Sequence, residues 1–341
     1  MKNAILLVNL GSPDSYAVKD VRRYLGEFLM DERVIDFPQW FRTFLIKGII
    51  LNTRPKKSAA AYESIWWDEG SPLMVLSKRL QKAVQKETKL PVALGMRYGT
   101  PSIYEAIKGL QDENPDLENI SLIPLYPHYA MSSYETVVVK AREVVEEHFP
   151  HLMMKVKKPF YDDPAYVEIL AQSLKDALPA EYDQILFSYH GVPERQIKKG
   201  DVSKSHCLNV ANCCQKDSPV QQFCYRHQTV DTTRLVAEKL NLDAKKYSTS
   251  FQSRLGPIQW LTPYTDKTIE AFAKNGVKKL VVLCPAFVSD CLETIEEIGE
   301  EAREDFLHHG GEEFTLVPCL NDQVSWAKLL AHYGEEMLVN V

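Results

Sequence analysis

The sequence predicts an α/β protein of two similar, doubly wound Rossmann-like domains, each with a parallel sheet and with a cleft between them. Three observations carry this reading. Short apolar runs alternate with helix-length amphipathic segments along nearly the whole chain, the order that places helices on both faces of a parallel sheet. Most of the runs are dominated by apolar residues, the pattern of strands covered by helices on both faces. The two halves also resemble each other: the pattern of Ile5–Pro13 returns over Ile185–Pro193. Leu125–Pro127 followed by Glu135 and Thr136 returns as Leu283–Pro285 followed by Glu293 and Thr294, with proline and Glu-Thr both displaced by 158 residues. A register kept across a strand end, a loop and a helix start marks a structural repeat.

Strands of the first half are expected at Ala4–Leu10, Val92–Met96, Ile120–Tyr126 and Met153–Val156. Those of the second half fall at Gln184–Tyr189, Tyr247–Phe251, Lys279–Phe287 and Phe314–Pro318. Helical spacing of apolar residues appears over Pro101–Gln111, Ser133–His148, Ala165–Ala177, Thr229–Leu240, Lys267–Asn275, Leu292–Leu307 and Gln323–Val339. The halves join near Lys157–Pro159. This gives an N-terminal lobe over 1–158 and a C-terminal lobe over 159–320 with a cysteine-bearing insert at 203–227. The last segment, 321–341, is expected as a helix packing back on the first lobe. Ligands of such sheets bind beyond the carboxyl ends of the strands. That singles out Asn9–Pro13, Arg97–Pro101, Tyr126–Ser133, His190–Arg195, Gln252–Trp260 and Pro285–Glu293.

At 341 residues the chain can bury two cores. Its net charge of −6, with acid and base interspersed, excludes the basic face that nucleic acid demands. Ala4–Val8 is too short to span a bilayer and has no cleavage site, so it reads as a buried strand and not as a signal. Phe37–Leu51 is apolar but interrupted by Arg42 and Lys47. It reads as an amphipathic helix lining a cleft or making peripheral membrane contact, or as a partly buried helix. Seven cysteines, four of them within eighteen residues, do not form the even, spread set of a disulfide framework, and a cytoplasmic protein is expected.

His190 stands where an apolar strand runs into Gly191 and Pro193, which places its imidazole at a strand end. There it can bind a metal or accept a proton near neutral pH; a loop hydrogen bond is the competing role. Glu293, Glu297 and Glu301 follow at i, i+4, i+8 on one face of a helix, with Ile295, Ile298, Ala302 and Phe306 opposite. A solvated acidic face is the plainer reading. Like charges at this spacing destabilise a helix, however, and a divalent metal or protons in transit would offset them. Cys207, Cys213, Cys214 and Cys224 are separated by gaps of five, none and nine residues, unlike the paired spacing of zinc sites. Four thiolates in an irregular loop suit an iron–sulfur cluster; free thiols, or zinc aided by His206 or His227, are the alternatives. Gly11 is solitary, so no nucleotide-binding glycine loop is present and a dehydrogenase is excluded.

Read together, these residues resemble the ferrochelatase family, bacterial type. The motifs are Leu7–Pro13, Gly70–Leu73, Gly95–Tyr98, Leu125–Pro127, Ser188–Gly191, Phe251–Arg254, Trp260–Pro263 and Cys284–Thr294, in order over nearly the whole chain. The resemblance implies a chelatase-like fold and a lyase inserting Fe2+ into protoporphyrin IX or coproporphyrin III in haem biosynthesis. It implies that His190 and Glu293 face each other across the porphyrin as catalytic and iron-contacting groups. Tyr126, Ser132, Trp260, Phe287 and Asp290 would line the pocket, with Ser71 and Arg97 near it. Three departures stand out. Cys291 occupies a position where many members carry a second histidine. Arg54 lies one residue from the expected propionate partner. Met131 replaces the internal cluster ligand of animal members, and the chain ends at Val341 without their cysteine-bearing tail. A [2Fe–2S] cluster would therefore use Cys207, Cys213, Cys214 and Cys224.

Metal insertion needs the macrocycle bent, two pyrrole protons removed and the waters of iron stripped. An apolar aromatic cleft can hold the ring bent. His190 and Glu293 would divide proton acceptance and first contact with iron, and Glu297 and Glu301 would relay protons or metal. The competing functions are a chelatase for cobalt or nickel with another tetrapyrrole, and a tetrapyrrole or iron carrier without turnover. The oligomeric state is not legible in the sequence.

Overall fold

The computed structural model describes residues 1–256 and 258–339. The strands are β1 (Asn3–Asn9), β2 (Val92–Met96), β3 (Asn119–Pro124), β4 (Met153–Val156), β5 (Gln184–His190), β6 (Tyr247–Gln252), β7 (Lys279–Leu283) and β8 (Glu313–Leu316). Among the described residues they form two four-stranded sheets, ordered β2-β1-β3-β4 and β6-β5-β7-β8. Every strand pair is parallel. The same order in both sheets is the structural counterpart of the repeated sequence pattern.

The chain divides into two compact units. The first comprises Met1–Tyr126, Met131–Lys158 and the segment from Asn321; the second comprises Pro127–Ala130 and Pro159–Leu320. In the first unit Ala4, Leu6, Val8 and Leu122 pack with Ile107, Val137 and Ala141 of flanking helices. The C-terminal helix Val324–Glu336 belongs to this unit, where Ser121 donates its hydroxyl to the Gly334 carbonyl at 2.7 Å and Trp326 is fully buried. In the second unit Leu186 and Val282 pack with Ile269, Ile298 and Phe306.

Gly11 and Gly191 each follow the first strand of their sheet, and both are held against the neighbouring strand end. A Cβ at Gly11 would lie 1.8 Å from the Tyr98 carbonyl oxygen, and φ there is +104°. A Cβ at Gly191 would lie 2.8 Å from the Gln252 carbonyl oxygen. Only glycine permits either approach.

The structure departs from expectation in three places. The run beginning at Lys279 ends as a strand at Leu283, because Pro285 has no N–H to extend the ladder. The first unit contains helices Val18–Met30, Pro55–Ile65 and Pro72–Glu87 that the sequence pattern does not single out. Two of them begin on proline, which suits the first helical position. Finally, Leu292–Leu307 is not one α-helix. Residues Glu293–Ala302 form a π-helix, followed by the α-helix Arg303–His308. A shorter π-helix, Met131–Glu135, precedes the helix Thr136–His148 in the first unit.

Candidate active site

His190 is the last residue of β5, paired in register with Gln252 at the end of β6. Its Nδ1 lies 2.6 Å from the Gly191 carbonyl oxygen. A carbonyl only accepts, so Nδ1 carries the proton and Nε2 presents its lone pair. The ring is half-buried, with the Phe287 ring centroid 6.3 Å away. Tyr225 donates its hydroxyl to the His190 carbonyl at 2.9 Å, which fixes the backbone from the other side. The imidazole is thus oriented by its own turn, with one nitrogen left for a proton or a metal.

The π-helix shapes the acidic ladder. An i→i+5 bond takes more residues per turn than the 3.6 of an α-helix, so positions four apart return closer to one line along the axis. Glu293, Glu297 and Glu301 therefore stack more nearly in a file than α-helical spacing allows. Their exposure grows along it: Glu293 and Glu297 are half-buried and Glu301 is open to solvent. Among the described residues no lysine or arginine forms an ion pair with any of the three. Burial raises the Glu297 carboxyl above its ordinary value and the nearby Glu293 charge adds to this; Ser253 and the charge of His190 pull it back. One carboxylate thus lies within electrostatic reach of both His190 and Glu293.

The end of β6 holds this ladder in place. Gln252, buried, donates its side-chain amide to the Glu293 carbonyl at 3.1 Å and accepts from the Ser188 hydroxyl at 2.7 Å. Ser253, at φ +65°, donates its hydroxyl to Glu297 Oε2 at 2.5 Å. The sequence places both residues in the strand-end segment Gln252–Trp260 and in the motif Phe251–Arg254, but assigns neither a role. Their bonds to the glutamate helix become visible only in the fold.

Trp260 donates its indole N–H to the Leu255 carbonyl at 2.9 Å, and its ring edge lies 3.3 Å from where a Gly191 Cβ would be. It therefore sits beside the His190 turn. Asp290 accepts from the Thr294 hydroxyl at 3.0 Å and from the Cys319 N–H at 3.4 Å, which braces the loop leading into the π-helix. Cys291 is buried in that loop, where burial raises its thiol well above the ordinary range. His190, Trp260, Phe287, Asp290, Glu293 and Glu297 are all carried by one unit, at the carboxyl ends of its strands.

The remaining candidates lie in the first unit. Ser71 caps the helix Pro72–Glu87, accepting from the Met74 N–H at 3.3 Å. Arg97 makes a buried ion pair with Asp31 at 2.5 Å and donates to the Thr136 hydroxyl at 2.7 Å. Tyr126 packs against the core of its sheet, and Ser132 lies in the short π-helix. Arg54 is exposed.

Comparison with known proteins identifies the family and the fold. The model of the Ferrochelatase family matches residues 2–338. The chain belongs to the ferrochelatase family. It is 50% identical over 331 residues to a ferrochelatase of Pseudomonas fluorescens (strain Pf0-1), covering 96% of each chain. It is 49% identical over 332 residues to a ferrochelatase of Azotobacter vinelandii, covering 96% of this chain and 97% of the other. Among solved structures, SirB from Bacillus subtilis with Fe3+ aligns with a TM-score of 0.54 at 14% identity, over 100% of this chain and 97% of that one. At that identity the likeness concerns the fold, and it is a chelatase fold. The protein is a lyase that inserts ferrous iron into a porphyrin in haem synthesis.

The ferrochelatase carries a second constellation, the cysteine loop. Cys207, Cys213 and Cys224 are buried and Cys214 is half-buried. The Cys224 thiol meets those of Cys207 and Cys214, and Cys214 meets Cys213. Arg226 points Nη1 at the sulfurs of Cys213 (3.7 Å) and Cys214 (3.5 Å), and the Leu208 N–H reaches the Cys213 sulfur at 3.4 Å. Asp201 organises the loop by accepting from the N–H groups of Ser203, His206 and Cys207. His206 and His227 donate to the carbonyls of Cys213 and Cys214, both at 2.9 Å. Among the described residues, no three His, Cys, Asp or Glu side chains are disposed around a single metal ion. A two-iron cluster asks for two thiolates per iron, so the arrangement does not conflict with one.

Proposed function

We propose that His190 and Glu293 are the groups that deprotonate the porphyrin and receive the iron, with Glu297 and Glu301 supplying the metal side. The observation that carries this is the free Nε2 of His190, set by the Nδ1 bond to Gly191 and electrostatically linked through Glu297 to Glu293. In the reaction two pyrrole N–H bonds break, the ring nitrogens bind Fe2+ and two protons leave. His190 Nε2 takes one proton directly from the ring, and the second passes to the Glu293 carboxylate and on to solvent. The carboxylate file carries negative charge from solvent to the reacting centre, where it stabilises a cation shedding its waters. Phe287 and Trp260 provide apolar walls beside the imidazole, and Tyr126, Ser132, Ser71, Arg97 and Asp290 complete the proposed substrate contacts. The test is iron insertion by His190→Ala and Glu293→Gln, assayed anaerobically with protoporphyrin IX and coproporphyrin III. Each variant should lose about 100-fold or more in turnover while still binding porphyrin. A His190→Ala enzyme of normal rate defeats the assignment.

We further propose that the cysteine loop holds a [2Fe–2S] cluster. Four thiols linked in a chain from Cys207 through Cys224 and Cys214 to Cys213, sulfur-directed donors from Arg226 and Leu208, and histidines occupied with backbone carbonyls support this donor set. Such a cluster supplies one-electron chemistry when bound. We also propose a cytoplasmic location, supported by an odd set of seven cysteines with four crowded into eighteen residues, unlike the even, spread set of a disulfide framework. No described helix is long and apolar enough to cross a membrane. Peripheral contact is proposed instead for the segment Gln39–Thr53, which exposes Trp40 (75%) and Phe44 (61%) beside the exposed bases Lys47, Arg54, Lys56 and Lys57.

A further inference from the structure

We infer that Ser253 is a positioning residue for iron, holding Glu297 in the orientation from which it hands the cation toward Glu293 and His190. The inference deepens the proposed function and rests on its assignment of Glu297 to the metal side.

Ser253 follows β6 with φ +65°, a conformation that a non-glycine residue adopts at a cost. What the strained turn achieves is visible in its contacts. The hydroxyl donates to Glu297 Oε2 at 2.5 Å, and the backbone N–H of Ser253 is directed at the same carboxylate. One residue earlier, Gln252 anchors the carbonyl of Glu293. Two consecutive residues thus fix two consecutive rungs of the carboxylate file, one through its main chain and one through its side chain. Without the serine hydroxyl, a glutamate has three rotatable bonds and an open cavity of about 630 Å³ beside it, lined also by Glu301 and Asp305. A carboxylate free to swing into that cavity retains its charge but loses its aim. The effect belongs to capture of the metal, because the carboxylate that Ser253 holds is the one assigned to the metal side.

The test compares Ser253→Ala, which removes the donor, with Ser253→Asn. Asparagine tolerates the left-handed region and restores an N–H donor, whereas threonine is β-branched and unsuited to it. Ser253→Ala should raise the KM for ferrous iron about tenfold, the loss expected for one hydrogen bond to a charged group, with the porphyrin KM unchanged. Ser253→Asn should recover most of the loss. Thermal unfolding of both variants checks that the fold is intact. An unmoved iron KM in Ser253→Ala, or equal changes in both KM values, overturns the inference. Glu297→Gln is measured in parallel. If it raises the iron KM while Ser253→Ala does not, only the role of Ser253 falls; if it too leaves iron capture normal, the assignment of Glu297 is what failed.

Discussion

Gln252 donates its side-chain amide to the carbonyl of Glu293, joining the last residue of β6 to the first residue of the π-helix at 3.1 Å. Its other side-chain atom accepts from Ser188, so a single buried amide satisfies a strand and a helix terminus together. Gln252→Leu keeps much of the volume but removes both bonds, while the Ser188 hydroxyl retains Thr265 at 3.0 Å. It should cost about 1–3 kcal/mol of stability. It should also lower kcat, because Glu293 loses its anchor. Urea unfolding and steady-state iron insertion measure the two effects; wild-type kcat in the variant breaks the link between anchor and catalysis.

His128 makes the enzyme sensitive to acid from within. Burial drives its imidazole down to about 3, among the rings of Tyr161, Tyr189 and Tyr225 with Nε2 against the Thr232 hydroxyl at 2.9 Å. The folded protein keeps this histidine neutral while the unfolded chain binds a proton near its ordinary value. The contribution is therefore complete above that ordinary value and is lost as pH falls from there toward about 3. It changes by up to about 1.4 kcal/mol for each pH unit in that window. His128→Gln should flatten the dependence of unfolding free energy on pH between 6 and 4, at whatever stability it has at pH 7. An unchanged slope shows that the acid sensitivity lies elsewhere.

For the cysteine loop, protein purified without oxygen should be coloured and contain iron and sulfide in similar amounts. Colourless protein with one zinc per chain reverses the proposal. Arg226→Gln should shift the reduction potential of the cluster to a more negative value, since the guanidinium beside Cys213 and Cys214 stabilises the added electron. A potential unaffected by this change separates Arg226 from the cluster.

Membrane contact makes a prediction of its own. Wild-type protein should sediment with anionic phospholipid vesicles and only weakly with neutral ones. Trp40→Ala with Phe44→Ala should abolish most of the binding and leave turnover with detergent-dispersed porphyrin close to normal. Equal sedimentation by wild type and variant removes this surface from consideration.

Central strands such as β1 were legible because burial on both faces writes itself as an apolar run, and β2 and β4 also fall where the sequence places them. His190 was legible for the same reason, as a polar residue closing such a run before a glycine. The helices starting at Pro55 and Pro72 were less so, since basic residues interrupt their apolar stripes. The π-helix was not readable at all, because glutamates four apart satisfy either winding. Ser71 and Arg97 show the opposite difficulty. Both are recognisable from motif, yet their polar atoms are engaged within their own unit, in a helix cap and a buried ion pair.

Ten residues of i→i+5 winding are a fragile choice for a protein to maintain. Single turns of this kind are the common form, because ordinary helical winding competes with it at every step. Shortening the segment by one residue, for example at Gly299, would let it relax into the tighter coil and rotate every downstream glutamate away from its present heading. Such a molecule should be sturdier, and on the proposed roles it would lose the solvent end of the file at Glu301 while Glu293 and Glu297 keep their places. Pressure for robustness and pressure for turnover therefore act on this stretch in opposite directions.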